Sequence, residues 1–268
     1  MWIYIVSMLT AFLVTYTITP FFIRYFKKAG IVTRDVHKRG KPLVPNSAGI
    51  PLILGMLSGI FLYVFLKVFL FEDRSGLVEI FACTTSVLLI SLTGFLDDIN
   101  SSQVRVRGFW EGKAGLKRWQ KPLLTLPAAL PLMAIMAGTS TMSIPFVGDV
   151  DFGIVYPLLL VPIGVVGAAN MINMLDGFNG LDTGMGLVYT LSLGLYAYLH
   201  GRYLASILFL ITFGALLAVF KYNFYPAKVL SGDSLTYSLG AVVACGAIAV
   251  SYTHLRAHET EADLVCRL

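Results

Sequence analysis

The chain alternates long apolar runs with short polar intervals. Runs at about 2–23, 48–71, 78–96, 122–138, 153–172, 182–199, 203–220 and 235–251 approach or pass the ~18–20 apolar residues that cross a bilayer as a helix. The pattern predicts an all-α polytopic membrane protein with about eight transmembrane helices. The interval at 139–152, "TSTMSIPFVGDVDF", has no Lys or Arg and reads as a short non-cytoplasmic β-hairpin. The first run is too long, and too plainly continued by others, for a cleaved signal peptide.

Composition agrees with the pattern. Of 268 residues 57% are hydrophobic and 13% charged, and the mean hydropathy is +0.77, which excludes a water-soluble domain. No repeat, linker or low-complexity tract divides residues 1–250, which read as one membrane domain. A net charge of +5 raises the question of nucleic acid, but its placement answers otherwise. Basic residues crowd the first interval (Arg24, Lys27, Lys28, Arg34, Lys38, Arg39, Lys41), the third (Arg105, Arg107, Lys113, Lys117, Arg118, Lys121) and the seventh (Lys221, Lys228). The even intervals have only Lys67, Arg74 and Arg202. This positive-inside bias makes the odd intervals cytoplasmic and excludes a nucleic-acid partner. Cys83 and Cys245 lie in apolar runs and Cys266 near the end, with no CxxC pair, so they read as small buried hydrophobes.

The last eighteen residues, "SYTHLRAHETEADLVCRL", break abruptly from the span before them and resemble a translated sequencing adapter. Residues 251–268 are therefore expected to be foreign, with a native C-terminal portion missing.

Four polar clusters fall on the predicted cytoplasmic side. The third span ends in "GFLDDIN", with Asp97 and Asp98, and the third interval ends in "LKRWQKPLL", with Lys117, Arg118 and Lys121. The fifth interval, "NMINMLDGFNGLD", carries Asn170, Asn173, Asp176, Asn179 and Asp182. Asn170 and Asn173 are three apart and share a helix face, and Gly177 and Gly180 then end the helix. "NFYPAKVLSGDSLTY" supplies Asn223, Lys228 and Asp233. Taken singly, each cluster also reads as a solvated helix end, a topology signal or an ordinary turn. Together they offer the oxygen ligands Mg²⁺ prefers beside substrate phosphates, with cations to neutralise phosphate oxygens. Acids, amides and cations at one face of a bilayer protein point to phosphoryl transfer onto a lipid.

"GFLDDIN", "NMINMLDGFNGLD" and "NFYPAKVLSGDSLTY", in that order, resemble the polyprenyl-phosphate N-acetylhexosamine-1-phosphate transferase family over roughly residues 1–250. "KRWQKPLLTLPAALPL" and "NFYP" before "GD" are similar to its dolichyl-phosphate GlcNAc-1-phosphotransferase branch. The resemblance implies transfer of N-acetylglucosamine 1-phosphate from UDP-N-acetylglucosamine to dolichyl phosphate, giving polyprenyl-diphosphate-N-acetylglucosamine and UMP. That is the first lipid-linked step of N-glycan-type assembly. It further implies Mg²⁺ (Mn²⁺ as substitute) on Asn173 and Asp233, with Asp97, Asp98 and Lys121 in catalysis. Asn170, Asp176, Asn179, Asn223, Lys117 and Arg118 would bind substrate. It also implies a homodimer among membrane lipids, in an archaeal plasma membrane or endoplasmic reticulum, with the site on the cytoplasmic face. Two departures stand out. Ser101 replaces the third acid of the D-D-x-x-D pattern, and "SSQVRVRGFWEGKAG" lengthens the approach to the basic cluster. The family has about ten spans, so this chain is expected to be incomplete at its C-terminus, and whether it is active in that form is left open.

Three other readings remain. A bacterial-type transfer to undecaprenyl phosphate uses the same residues. A CDP-alcohol phosphatidyltransferase needs an Ala-Arg after the Asp-Gly, where Phe178 and Asn179 stand. A transporter would put broken polar helices at the midplane, whereas these groups sit at span ends.

Overall fold

The computed structural model describes residues 2–36, 38–106, 109–112, 115–117, 119–144, 146 and 148–265, without the side chains of 103–112, 143 and 251–265. Nine helices are defined among these residues: α1 (Trp2–Ala29), α2 (Gly49–Phe71), α3 (Leu77–Ser101), α4 (Gln120–Thr125), α5 (Leu130–Ala134), α6 (Val161–Leu175), α7 (Leu181–Leu199), α8 (Tyr203–Asn223) and α9 (Gly232–Val265). Six helical segments among the described residues are long and apolar enough to cross a membrane: Trp2–Ala29, Gly49–Phe71, Leu77–Ser101, Tyr156–Leu175, Tyr203–Asn223 and Gly232–Val250. The remaining two of the eight apolar runs are helical as well. α7 is diluted by glycine, tyrosine and Asp182. The 122–138 run becomes α4, a 3₁₀ turn (Leu126–Ala129) and α5, because Pro122, Pro127 and Pro131 each remove a helix donor.

Broken backbone among apolar helices needs other hydrogen-bond partners. Hydroxyls of α3 supply two of them. Thr93 donates to the Leu124 carbonyl at 3.2 Å and Ser86 to that of Ala128 at 2.5 Å. The proline-broken segment is thereby fastened along α3, whose far end carries the paired aspartates.

α8 is apolar on all sides, as a helix enclosed by others should be, and it and α9 are the most enclosed spans. α1 packs on α2 and α8, α7 on α8, and both α3 and α6 on α9. Small residues set these close approaches, as is usual where apolar burial cannot drive helices together in lipid. Ser7, Ala11, Thr15 and Thr19 form a buried stripe on α1 that meets Gly55 and Gly59 of α2. A methyl on Gly94 of α3 would lie 2.4 Å from the Asp233 carbonyl oxygen, so that helix touches the α9 backbone directly.

Three two-stranded antiparallel hairpins complete the structure: β1 (Val32–Arg34) with β2 (Leu43–Pro45), β3 (Gln103–Val106) with β4 (Phe109–Gly112), and β5 (Thr141–Ile144) with β6 (Gly148–Asp151). The last is the hairpin expected at 139–152. β2 also delivers the chain to the loop before α9. Leu230 donates its N–H to Pro45 at 2.8 Å, and Ala48 donates to Leu230 at 3.1 Å.

Candidate active site

The polar clusters meet at one end of the helix bundle. The end of α3 brings Asp97 and Asp98, α4 brings Lys121, and the first turn of α9 brings Asp233. The Lys121 Nζ lies 2.7 Å from Asp97 Oδ2 and 2.5 Å from Asp233 Oδ2, so one ammonium bridges two carboxylates. Burial opposes charge on Lys121, but the hydrogen bonds to Asp233 and Asp97 outweigh it and hold the ammonium pKa above its ordinary value. Asp97 turns its other oxygen to the Leu116 N–H at 2.6 Å.

Asp98 points the other way and is 2% exposed. Its Oδ1 accepts from the Asp233 N–H (2.7 Å) and Asn46 Nδ2 (3.2 Å). Its Oδ2 accepts from the Ser47 hydroxyl (2.7 Å) and the Ser234 N–H (3.2 Å). Four donors fill the capacity of an ionised carboxylate. Two of them are orphan N–H groups of the α9 N-terminus, so Asp98 caps that helix from outside and fixes the backbone of Asp233. Gly232, at φ +70°, leaves room for it, since a Cβ there would sit 2.5 Å from Asp98 Oδ2.

Asn173 of α6 lies against the buried Tyr237, one turn beyond Asp233. Asn170 turns its amide back to the Val166 carbonyl at 2.8 Å. Asn179 donates to Asp35 at 2.9 Å, and Asp35 also pairs with Lys38 at 3.1 Å. Asn223 is a buried staple: its Oδ1 accepts from the Gly180 N–H (3.1 Å) and the Thr183 hydroxyl (2.8 Å), and its Nδ2 donates to Val229 (3.1 Å). Lys117 is exposed, and Arg118 lies outside the described residues.

Two concavities flank the cluster. A polar cleft of about 370 Å³ is lined by Arg34, Asp35, Asp98, Asp176, Asn179 and Asp233, among others. The protein bulk around Asp176 and the charges of Asp182 and Asp98 push its carboxyl up to about 7. Its side chain opens to solvent, which weakens the desolvation and screens the two charges, so the upward direction is what stands. An apolar groove of about 640 Å³ runs between the α4–α5 segment and the start of α6, past Trp119, Leu123, Leu126, Leu130, Leu159 and Ile163, and its lining residues Trp119 and Pro122 bracket Lys121 in the chain. Asn46, Ser47 and the Asp35–Lys38 pair were not singled out in the sequence. Their interval reads as a basic topology signal, and only the β1–β2 pairing turns it inward.

Residues 80–251 match the family described as Glycosyl transferase family 4, a stretch that includes Asp97, Asp98, Lys121 and Asp233. The chain belongs to that family. A Saccharolobus solfataricus protein, provisionally named a UDP-N-acetylglucosamine–dolichyl-phosphate N-acetylglucosaminephosphotransferase, is 34% identical over 254 residues, 94% of this chain and 73% of its own length. A Sulfolobus acidocaldarius protein of the same provisional name is 32% identical over 249 residues, 92% of this chain and 70% of its own. A phospho-N-acetylmuramoyl-pentapeptide-transferase of Streptococcus thermophilus is 28% identical over 253 residues, 92% of this chain and 72% of its own. This family 4 protein is thus a transferase held in the membrane by apolar helices.

Proposed function

We propose that this chain transfers N-acetylglucosamine 1-phosphate from UDP-N-acetylglucosamine to a polyprenyl phosphate of the dolichyl type, at the cytoplasmic face of its membrane. One observation carries the reading. Asp233 of the Asp97–Lys121–Asp233 cluster lines an acid-rich polar cleft, and the residues bracketing Lys121 line an apolar groove, as a reaction joining a soluble nucleotide-sugar to a lipid phosphate requires. The names of the two archaeal relatives support the choice of donor and acceptor.

The polar cleft would take the UDP end, and the groove the first isoprene units. The acceptor phosphate, with a second pKa of about 6, is already largely ionised at neutral pH. One of its oxygens attacks the β-phosphorus in line, the bond from that phosphorus to the bridging oxygen breaks, and UMP departs. The protein therefore has positioning and charge neutralisation to perform more than proton removal. Lys121 would neutralise phosphate oxygens, Asp97 would orient Lys121, and Asp98 would hold Asp233 in place.

A divalent cation fits this donor set. Two carboxylates already converge on one positive charge, and Asn173 offers an amide oxygen at Tyr237, one turn along α9 from Asp233. Asp233, Asp97 and Asn173 are the oxygen ligands Mg²⁺ takes, with Mn²⁺ as a substitute. When bound, Mg²⁺ would supply charge neutralisation for the diphosphate.

The test is UMP release from UDP-N-acetylglucosamine with dolichyl phosphate and Mg²⁺. Asp233→Asn and Asn173→Ala should each lower turnover by about 10²–10³, the usual loss of one electrostatic stabiliser, while membrane insertion is unchanged. Full activity in both variants would sink the assignment. A second reading, bacterial-type transfer to undecaprenyl phosphate, uses the same residues. Comparing the two acceptors decides between them.

A further inference from the structure

Lys121 occupies the position a metal would take. Its Nζ bridges Asp97 Oδ2 at 2.7 Å and Asp233 Oδ2 at 2.5 Å. Without a cation there, two carboxylates in a partly buried site would repel each other, and their desolvation would go uncompensated. Yet the Asp97 carboxylate and the Asp233 backbone each have a second support. Asp97 is held through its other oxygen by the Leu116 N–H, and the backbone of Asp233 is held by Asp98. Lys121 is the least tethered of the three. It is the second residue of a six-residue helix, its side chain is 27% exposed, and a flexible four-carbon stem carries its charge. Asp233, its partner, also lines the polar cleft.

We infer that Lys121 is a resident counter-ion, holding the cation position between Asp97 and Asp233 until a divalent cation displaces it. Metal binding and delivery of the Lys121 ammonium toward the substrate phosphates are then one event. Part of the site's negative charge is offset when no metal is bound, and the lysine is released only when the metal that must accompany it has arrived. The inference rests on the metal-binding reading above.

The test is Mn²⁺ titration of the full chain in detergent, without nucleotide, followed by the paramagnetic resonance signal of free Mn²⁺. Lys121→Met and Lys121→Gln remove the competing charge and should tighten Mn²⁺ binding at least tenfold. Lys121→Arg keeps the charge and can grip both carboxylates, so it should bind Mn²⁺ no more tightly than the parent. The parent protein gives an independent reading that needs no variant: amine labelling of Lys121, followed by mass spectrometry, should rise when Mn²⁺ is added. Unchanged or weaker Mn²⁺ binding in both uncharged variants would overturn the exchange. So would Lys121 labelling that is indifferent to Mn²⁺, or no Mn²⁺ binding by any of the proteins. UMP release, measured in parallel, separates the two proposals. Exchange without turnover would remove the transfer reaction alone, and turnover without exchange would remove only the counter-ion role.

Discussion

At Asp98 each carboxylate oxygen takes two hydrogen bonds, and the four donors come from the β2–α2 connection and the first turn of α9. Asp98→Asn replaces one acceptor oxygen with an NH₂ group that faces two donors. Leaving buried donors unpaired costs on the order of 1–3 kcal/mol each. The variant should melt several degrees lower in detergent and lose turnover together with the alignment of Asp233. Ser47→Ala removes a single hydroxyl donor and should show a smaller loss, on the order of 1 kcal/mol. Unchanged melting of Asp98→Asn would remove the capping role. The sequence could mark Asp97 and Asp98 as a pair at a span end, but it could not divide their work. That division depends on which of two adjacent side chains meets α9 and which meets α4, and a helix turns by about 100° between neighbours.

Among the elements, α9 organises the site. α3 and α6 both pack on it, and Gly94 brings the α3 backbone against Asp233 itself. Gly94→Ala would put a methyl 2.4 Å from the Asp233 carbonyl oxygen, a contact that only a shift of one helix can relieve. We expect turnover to fall at least tenfold and melting to drop, although no site side chain is altered; normal activity would show that α9 tolerates displacement. The helical character of each apolar run was legible from its length and apolarity. What became of the 122–138 run was not: its prolines divide it, and hydroxyls of α3 stabilise the pieces. Those hydroxyls lie about thirty residues away in sequence, as in the Thr93–Leu124 bond, beyond the reach of a local pattern.

At the scale of the whole molecule, the proposed reaction needs a polar cleft and an apolar groove close to the cluster. Leu126→Trp would narrow the apolar groove without approaching Asp97, Lys121 or Asp233. It should raise KM for polyprenyl phosphate several-fold while KM for UDP-N-acetylglucosamine stays within twofold, and equal changes in both would disconnect the groove from the acceptor. By itself the sequence determined the membrane class, the order of the apolar runs and the gathering of acids, amides and cations at span ends. These follow from local properties, since apolar length decides insertion and polar residues in such a chain must sit where water or partners can satisfy them. Only the tertiary structure decided that Lys121 bridges Asp97 and Asp233, that Asp98 faces away as a cap, and that Asp35 pairs with Asn179 across the cleft. All of these contacts but the Lys121–Asp97 pair join groups more than a hundred residues apart, and they exist because small residues let helices approach closely enough to aim them.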